Sequence, residues 1–224
     1  MQLRHEYKYY LNYHDYFVIK SRLSAVMQAD THVSSDGKYL IRSLYFDNYS
    51  DKALREKING VSNREKFRIR CYNSDYDFIR LEKKLKMAGL GTKISAKLTR
   101  EETQRIIDND IEFMKDSHQA LVVELYEKMK FQALRPKTIV DYTREPFIYD
   151  AGNVRVTLDY NIRTGLNSID MLNPYVPTVP TDEGLIILEV KYDNFLPDVI
   201  RDIVQMKNRE VSAFSKYASC RKFF

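Results

Sequence analysis

The chain has 224 residues, 44% hydrophobic and 30% charged, with only seven Gly and six Pro, which excludes a disordered polymer and leaves ample material for a core. Its apolar runs fall far short of the roughly 20 residues a membrane-crossing helix needs, the opening MQLRHEYKYY lacks a secretory signal, and two cysteines, Cys71 and Cys220, are too few for a disulfide framework. A cytoplasmic protein with reduced thiols is expected, and its 36 Lys and Arg against 31 Asp and Glu leave a formal charge of +5.

Taken in chain order, Arg4, Glu6 and Lys8 alternate with His5, Tyr7 and Tyr9, the period of a strand. Residues His14–Met27 read as an amphipathic helix with Phe17, Leu23 and Val26 or Met27 as its apolar stripe. In the next run, YLIRSLYFD at 39–47, Arg42 is the one charge on the face of Leu40, Leu44 and Phe46, and it is assigned to the inner side. Ser50–Asn59 reads as a helix with a good cap. Then comes the clearest strand of the chain, where Arg64, Lys66, Arg68 and Arg70 share one face and Phe67, Ile69 and Cys71 the other. A helix would scatter these cations at 100° steps and leave no apolar stripe. Arg80, Glu82 and Lys84 alternate with Ile79, Leu81 and Lys83. Gly89–Lys93 lacks the spacing of a phosphate-binding P-loop and reads as a hairpin loop.

Thr99 and Glu102 form a capping box for a helix to about Asn109, and Ser117–Phe131 reads as another. Tyr142 and Arg144 share a strand face, as do Arg155, Thr157 and Asp159, and then Glu189 and Lys191 opposite Ile186, Leu188 and Val190. Asn173–Thr181, with three prolines, reads as a loop. Pro197 fits the first turn of a helix through Val204, and Ser212–Phe224 closes the chain as a short helix. His5, His14, His32 and His118 have no metal-ligand spacing. The expectation is one α+β domain over residues 1–224, mostly antiparallel.

Charge is concentrated. Residues 62–100 hold eleven Lys or Arg and four acids, a net +7 that leaves −2 for the remainder. A polyanionic partner is the natural reading. Half-apolar, half-charged strands fit either a sandwich with its charges in water or a barrel with its charges inside. Same-face acid–base pairs, and amphipathic helices that need an apolar sheet surface, favour the barrel. Its inner set comprises Lys8, Arg42, Lys66, Arg68, Arg70, Arg80, Lys84, Arg144, Arg155 and Lys191, with Glu6, Glu82, Asp159 and Glu189. Dry burial of so much unpaired charge costs several kcal/mol per ion, so water or counter-charge must fill the interior, and a linear phosphate polymer or a nucleoside triphosphate fits. Arg offers phosphate bidentate contacts and Lys a point charge.

The runs RxEYKY at 4–9, SLYFDN at 43–48, RxKxRIRxY at 64–72, LEKKxK at 81–86, DYTR at 141–144, VRVTLD at 154–159, LEVK at 188–191 and FSKY at 214–217 resemble, in this order, the VTC (vacuolar transporter chaperone) catalytic domain. That family belongs to the CYTH-like triphosphate tunnel metalloenzymes. The resemblance implies a closed eight-stranded antiparallel β tunnel with a charged lumen, flanked by helices. It also implies a polyphosphate polymerase that moves the γ-phosphate of ATP onto inorganic polyphosphate with Mn²⁺ or Mg²⁺. By position, Lys8, Arg68, Arg70, Lys84, Arg144 and Arg155 match the family's phosphate-binding cations, Tyr142 its tunnel aromatic and Glu189 its metal carboxylate. Ser215 and Lys216 match residues near the terminal phosphate, and Lys93 a further tunnel lysine. Strand phase adds Arg42, Arg64, Lys66 and Lys191 as phosphate contacts, with Glu6 and Glu82 as secondary metal candidates.

The superfamily's first strand often reads ExExK; here Arg4 stands at the first acidic position, which disfavours a two-metal hydrolase. The phosphate-sensing and membrane-spanning parts of eukaryotic relatives are also missing from this sequence. An acceptor phosphate oxygen is already ionised at neutral pH and needs no general base, so a cation-dominated interior favours transfer over hydrolysis. A tunnel-type tripolyphosphatase or organic triphosphate hydrolase is the alternative. A nucleic-acid module would place aromatics beside its cations on one open surface, whereas Phe67 and Ile69 lie opposite Arg68 and Arg70. A non-catalytic polyphosphate receptor stays open.

Overall fold

The computed structural model describes residues 3–30, 33–205 and 211–222. One antiparallel sheet organises the chain, with strands β1 (His5–Leu11), β2 (Gln28–Ala29), β3 (Tyr39–Asp47), β4 (Arg64–Tyr72), β5 (Asp75–Met87), β6 (Leu90–Leu98), β7 (Arg135–Tyr149), β8 (Val154–Thr164), β9 (Val179–Pro180) and β10 (Ile186–Tyr192). Helices α1 (Tyr13–Val26), α2 (Lys52–Ile58), α3 (Arg100–Ile107), α4 (Ala120–Phe131), α5 (Asp198–Val204) and α6 (Lys216–Cys220) surround it. Eight strands pair in the order β1-β10-β8-β7-β3-β4-β5-β6, with the two-residue strands β2 and β9 appended to β7 and β8.

Alternation fixes which way each strand faces. On one side of β3 to β6, Leu44, Phe46, Phe67, Ile69, Ile79, Leu81, Ala96 and Leu98 pack under Ile106, Leu121, Val122, Leu125 and Met129 of α3 and α4. Outside β1, β10, β8 and β7, Leu11, Leu188, Val190, Val156, Leu158 and Phe147 pack under Ile19 and Leu23 of α1 and Ile200 of α5. These two cores cover one face of the sheet. On the other face, side chains of strands two apart meet: Arg70 of β4 reaches Tyr142 of β7, and Arg155 of β8 reaches Tyr39 of β3. Contact over an intervening strand requires a curled sheet with these residues on its concave side. A third, smaller core lies there, where Tyr217 and Cys220 of α6 fill one end against Ile41, Tyr45, Val140, Tyr142 and Ile187.

The sheet is a half-barrel rather than the expected closed ring. Its edge strands β1 and β6 meet at a single bridge, Arg4–Gly91, with backbone hydrogen bonds of 2.9 and 3.0 Å. Antiparallel register explains why the ladder stops. With Arg4 opposite Gly91, Glu6 would face Gly89, which already belongs to the β5–β6 turn, where positive φ at Ala88 and Gly89 supplies the hairpin's twist.

Several helix readings shift in detail. The α1 capping box is Asn12 with Asp15, and the helix buries Tyr16, Ile19 and Leu23 while Phe17 faces solvent. Asp51, before α2, makes no side-chain cap; Asp47 at the end of β3 accepts from the backbone N–H of Ala53 (2.9 Å) and Leu54 (3.1 Å) instead. The Thr99–Glu102 capping box forms as expected. The C-terminal helix is confined to α6, and 223–224 lie outside the described residues, as does His32.

Candidate functional site

The concave side of β4 carries Arg64, Lys66, Arg68 and Arg70 because Phe67, Ile69 and Cys71 are buried beneath α3 and α4. Register sets Lys66 opposite Lys84, Arg68 opposite Glu82 and Arg70 opposite Arg80. Glu82 is 1% exposed and gathers three cations: Arg68 donates from Nε at 2.7 Å, Lys93 from Nζ at 2.5 Å, and Arg70 stands at 3.8 Å. Burial alone would raise the Glu82 pKa, but these cations hold it well below the carboxylate range. Arg68 also donates to the Tyr45 hydroxyl (2.8 Å), and Arg70 to Ser43 Oγ (3.0 Å) and the Tyr142 hydroxyl (2.9 Å).

Across the curl, Asp159 is fully buried and receives both Arg144 Nε (2.6 Å) and Nη2 (2.7 Å), together with Lys216 Nζ (2.5 Å) from α6. Lys216 lies 4.6 Å from the Tyr142 ring centroid, so that one tyrosine touches cations of β4, β7 and α6. Arg155 donates to Asp30 (2.6 Å) and to the Tyr39 hydroxyl (2.8 Å). A third group joins β1, β5 and β10. Lys8 lies 2.8 Å from Glu6 and 3.4 Å from Glu189, Lys84 lies 2.6 Å from Glu6, and Lys191 pairs with Glu189. Arg144, 4.0 Å from Glu189, links this group to the second.

The cations outnumber the acids, and the titration of this face records it. Burial and the neighbouring Lys8 and Lys191 push Lys84 down to about 7 despite Glu6. Burial, Lys8 and Arg68 push Lys66 down to about 8. Burial would raise the Tyr45 phenol, yet Arg68, Lys66 and Arg70 bring it down to about 7. Two amines that shed protons easily and a phenol that loses one easily all report a surplus of positive potential. Lys8 goes the other way: Glu189 and Glu6 outweigh its burial and raise it.

Most of the expected residues therefore converge: Lys8, Lys66, Arg68, Arg70, Lys84, Lys93, Tyr142, Arg144, Arg155, Lys191, Lys216, Glu6, Glu82 and Glu189 share the concave face. Arg64 lies at its rim, where its guanidinium bonds the Val61 carbonyl. Ser215 is the N-cap of α6, its hydroxyl accepting from Ala218 N–H at 3.4 Å. Arg42 does not join them. It points to the convex side and pairs with Asp141 through three hydrogen bonds of 2.8–3.2 Å, because the concave residues of β3 are Tyr39, Ile41, Ser43 and Tyr45. Those hydroxyl-bearing neighbours, and the orienting role of Asp159 and Asp30, were not identified from sequence. The alternation of β3 would have supplied Tyr39 and Tyr45 had its neutral face been chosen.

As a metal site the three candidate carboxylates divide. Glu6 and Glu189 are bridged by Lys8 and feel each other's charge, whereas Glu82 belongs to the Arg68–Arg70–Lys93 group. Among the described residues no group of three or more His, Cys, Asp or Glu side chains is arranged to hold an ion. Two carboxylates suit Mg²⁺ or Mn²⁺ where phosphate oxygens and water supply the remaining ligands.

An α+β half-barrel with α1, α3, α4 and α5 outside and α6 at one end of a cation-rich concave face is the class these observations define. The VTC domain profile matches residues 3–224, and the chain belongs to that family. No curated protein matches the sequence. Among solved structures, the PH1012 protein from Pyrococcus horikoshii OT3 is similar over 95% of this chain and 96% of its own, at 12% identity and a TM-score of 0.51. The PH1819 protein from the same organism is similar over 99% of each chain, at 12% identity and a TM-score of 0.50. These likenesses concern the fold. No helix among the described residues is long and apolar enough to cross a membrane.

Proposed function

We propose that this chain is a metal-dependent polyphosphate polymerase, transferring the γ-phosphate of ATP to the end of a growing inorganic polyphosphate chain. The observation that supports this most is the convergence of Arg68, Arg70, Lys84, Arg144 and Lys216 on one concave surface whose acids, Glu6, Glu82, Asp159 and Glu189, are all engaged by cations. In the transfer, a terminal phosphate oxygen of the polymer bonds to the γ-phosphorus and the bond from that phosphorus to the β-phosphate's bridging oxygen breaks, releasing ADP. The attacking oxygen carries no proton at neutral pH, so what the site must supply is alignment and neutralisation of charge.

Arg68 and Arg70 grip phosphate from β4, Arg144 and Arg155 from the opposite wall, and Lys8 of β1, Lys84 of β5 and Lys191 of β10 from around the open edge between β1 and β6. Lys216, held over Tyr142, neutralises the transferring group. Glu189, with Glu6, would hold Mn²⁺ or Mg²⁺, which when bound would supply Lewis-acid neutralisation of the triphosphate. Substrate charge would replace the carboxylates as partners of the cations and draw the edge strands β1 and β6 together, completing a tunnel.

The test is incubation with ATP and Mn²⁺ followed by gel separation. A ladder of lengthening polymer is expected, abolished in Glu189→Ala, whose thermal unfolding stays cooperative. Release of orthophosphate with no polymer would identify a hydrolase and overturn the proposal.

A further inference from the structure

The concave face is not uniformly paired. Lys57 of α2, Arg64 and Lys66 of β4 and Lys86 of β5 make no ion pair among the described residues, although all are half-buried. Register places Arg64 directly opposite Lys86. Lys57 feels Arg64, Lys8 and Lys86, and Lys86 feels Arg64 and Lys8; burial and these like charges lower both amines. Glu6, the acid that faces Lys66 and Lys86, is already shared by Lys8, Lys84 and Lys191. Four crowded cations with no ion pair of their own among the described residues destabilise the folded chain unless an anion lies among them.

Length argues in the same direction. Arg64, Lys66, Arg68 and Arg70 occupy alternate positions of one strand, so the row spans roughly 20 Å at about 3.4 Å per residue. A triphosphate covers less than half of that. Arg68 and Arg70 sit at the paired end beside Glu82 and Tyr142, and the row runs from there to the unpaired end beneath α2. Among the described residues no aromatic ring lies open between the four; the Tyr45 ring is buried beneath Lys66, 5.3 Å from its amine. The surface therefore lacks the stacking platform that single-stranded nucleic acid uses.

We propose that Lys57, Arg64 and Lys86, reached through Lys66, form a second anion-binding track that holds the part of a linear polyphosphate lying beyond the reacting triphosphate. This rests on the reading above that the concave face takes phosphate chains. The track makes affinity depend on chain length.

The experiment is calorimetric titration of the intact chain, wild type and Lys57→Gln/Lys86→Gln, with tripolyphosphate, with a longer linear polyphosphate of defined length and with an oligonucleotide of matched charge. Wild type is expected to bind the long chain more tightly than tripolyphosphate. The variant should keep tripolyphosphate affinity within about twofold, which also reports an intact fold, and lose about tenfold for the long chain, with a salt dependence shallower by about two cations. Equal weakening for both lengths, or no weakening for either, would overturn the track while leaving the phosphate site standing. Oligonucleotide binding as tight as the long chain's would overturn its assignment to polyphosphate. A wild type that binds neither phosphate compound would bring down both proposals.

Discussion

Lys83 and Lys84 are adjacent in sequence and lie on opposite faces of β5. Lys83 points outward, 2.9 Å from Glu65 and paired with Glu124 of α4, while Lys128 of α4 reaches Glu65 at 2.5 Å. Burial works against the Lys83 charge, but its hydrogen bonds to Glu124 and Glu65 prevail and raise its pKa. Lys84 points inward, shares Glu6 with Lys8 and Lys191, and is pushed down to about 7 by burial and those two amines. Outer charges are matched one to one and fasten a helix to the sheet. Inner charges are in surplus, and several cations share each acid. The difference separates charge that stabilises a fold from charge kept for a ligand.

Substitutions can break this contrast, and the largest effect is expected at Lys216. Lys216→Ala leaves Asp159 with its two Arg144 bonds, so the fold persists. Polymer synthesis should fall about a hundredfold, the scale of one lost charge-stabilising group, with tripolyphosphate affinity changed only a few fold. Rate and affinity falling together would place Lys216 in ground-state binding.

Stability without ligand comes next. Lys83→Met removes charged hydrogen bonds and should cost about 1.5 kcal/mol in urea unfolding. Lys84→Met relieves crowding among like charges and should be neutral or stabilising. Equal destabilisation by both would erase the distinction between the faces.

The two responses to pH should also oppose one another. Lys84 at about 7, Lys66 at about 8 and Tyr45 at about 7 all lie below their ordinary values. Between about pH 7 and 10 the unfolded chain therefore binds more protons at these groups, so their contribution to stability grows as pH rises and is lost as it falls toward 7. A bound polyanion favours the protonated forms, so binding takes up protons and affinity declines as pH rises over the same range. Calorimetry in buffers of different ionisation enthalpy measures that uptake, and Tyr45→Phe should reduce it. Proton release on binding would contradict the assigned electrostatics.

Smallest of all is Arg42. Arg42→Gln breaks a convex pair with Asp141 and should cost about 1 kcal/mol or less, without altering phosphate affinity. A tenfold loss of affinity would return Arg42 to the inner face.

Alternation made much of the fold legible: Arg64–Tyr72 and Val154–Ile162 declare both their strand character and their two faces locally. What stayed hidden depends on partners distant in sequence. The face of Arg42 is decided by Asp141, 99 residues away. The cap of α2 is Asp47, which also accepts the Tyr217 hydroxyl at 2.7 Å and so ties β3 to α6. Phe17 looked like part of a core stripe because helical period does not reveal which arc meets the sheet. The open ring depends on where β1 runs off the end of β6, a register no single strand encodes. Site cations were readable because burying them demands a reason. Of the tyrosines that orient them, Tyr142 was named through the family resemblance, but Tyr39 and Tyr45 were not, since a buried Tyr is ordinary in any β protein.

The central claim is that the concave face receives a phosphate chain. Its most direct test is the rise in melting temperature on adding millimolar tripolyphosphate, measured in parallel for wild type, Lys83→Met and Lys84→Met, since a ligand bound only by the folded state stabilises it by RT ln(1 + [L]/Kd). The rise should be equal in wild type and Lys83→Met and clearly smaller in Lys84→Met. No rise in wild type, or a rise lost with Lys83 and kept without Lys84, would contradict the account.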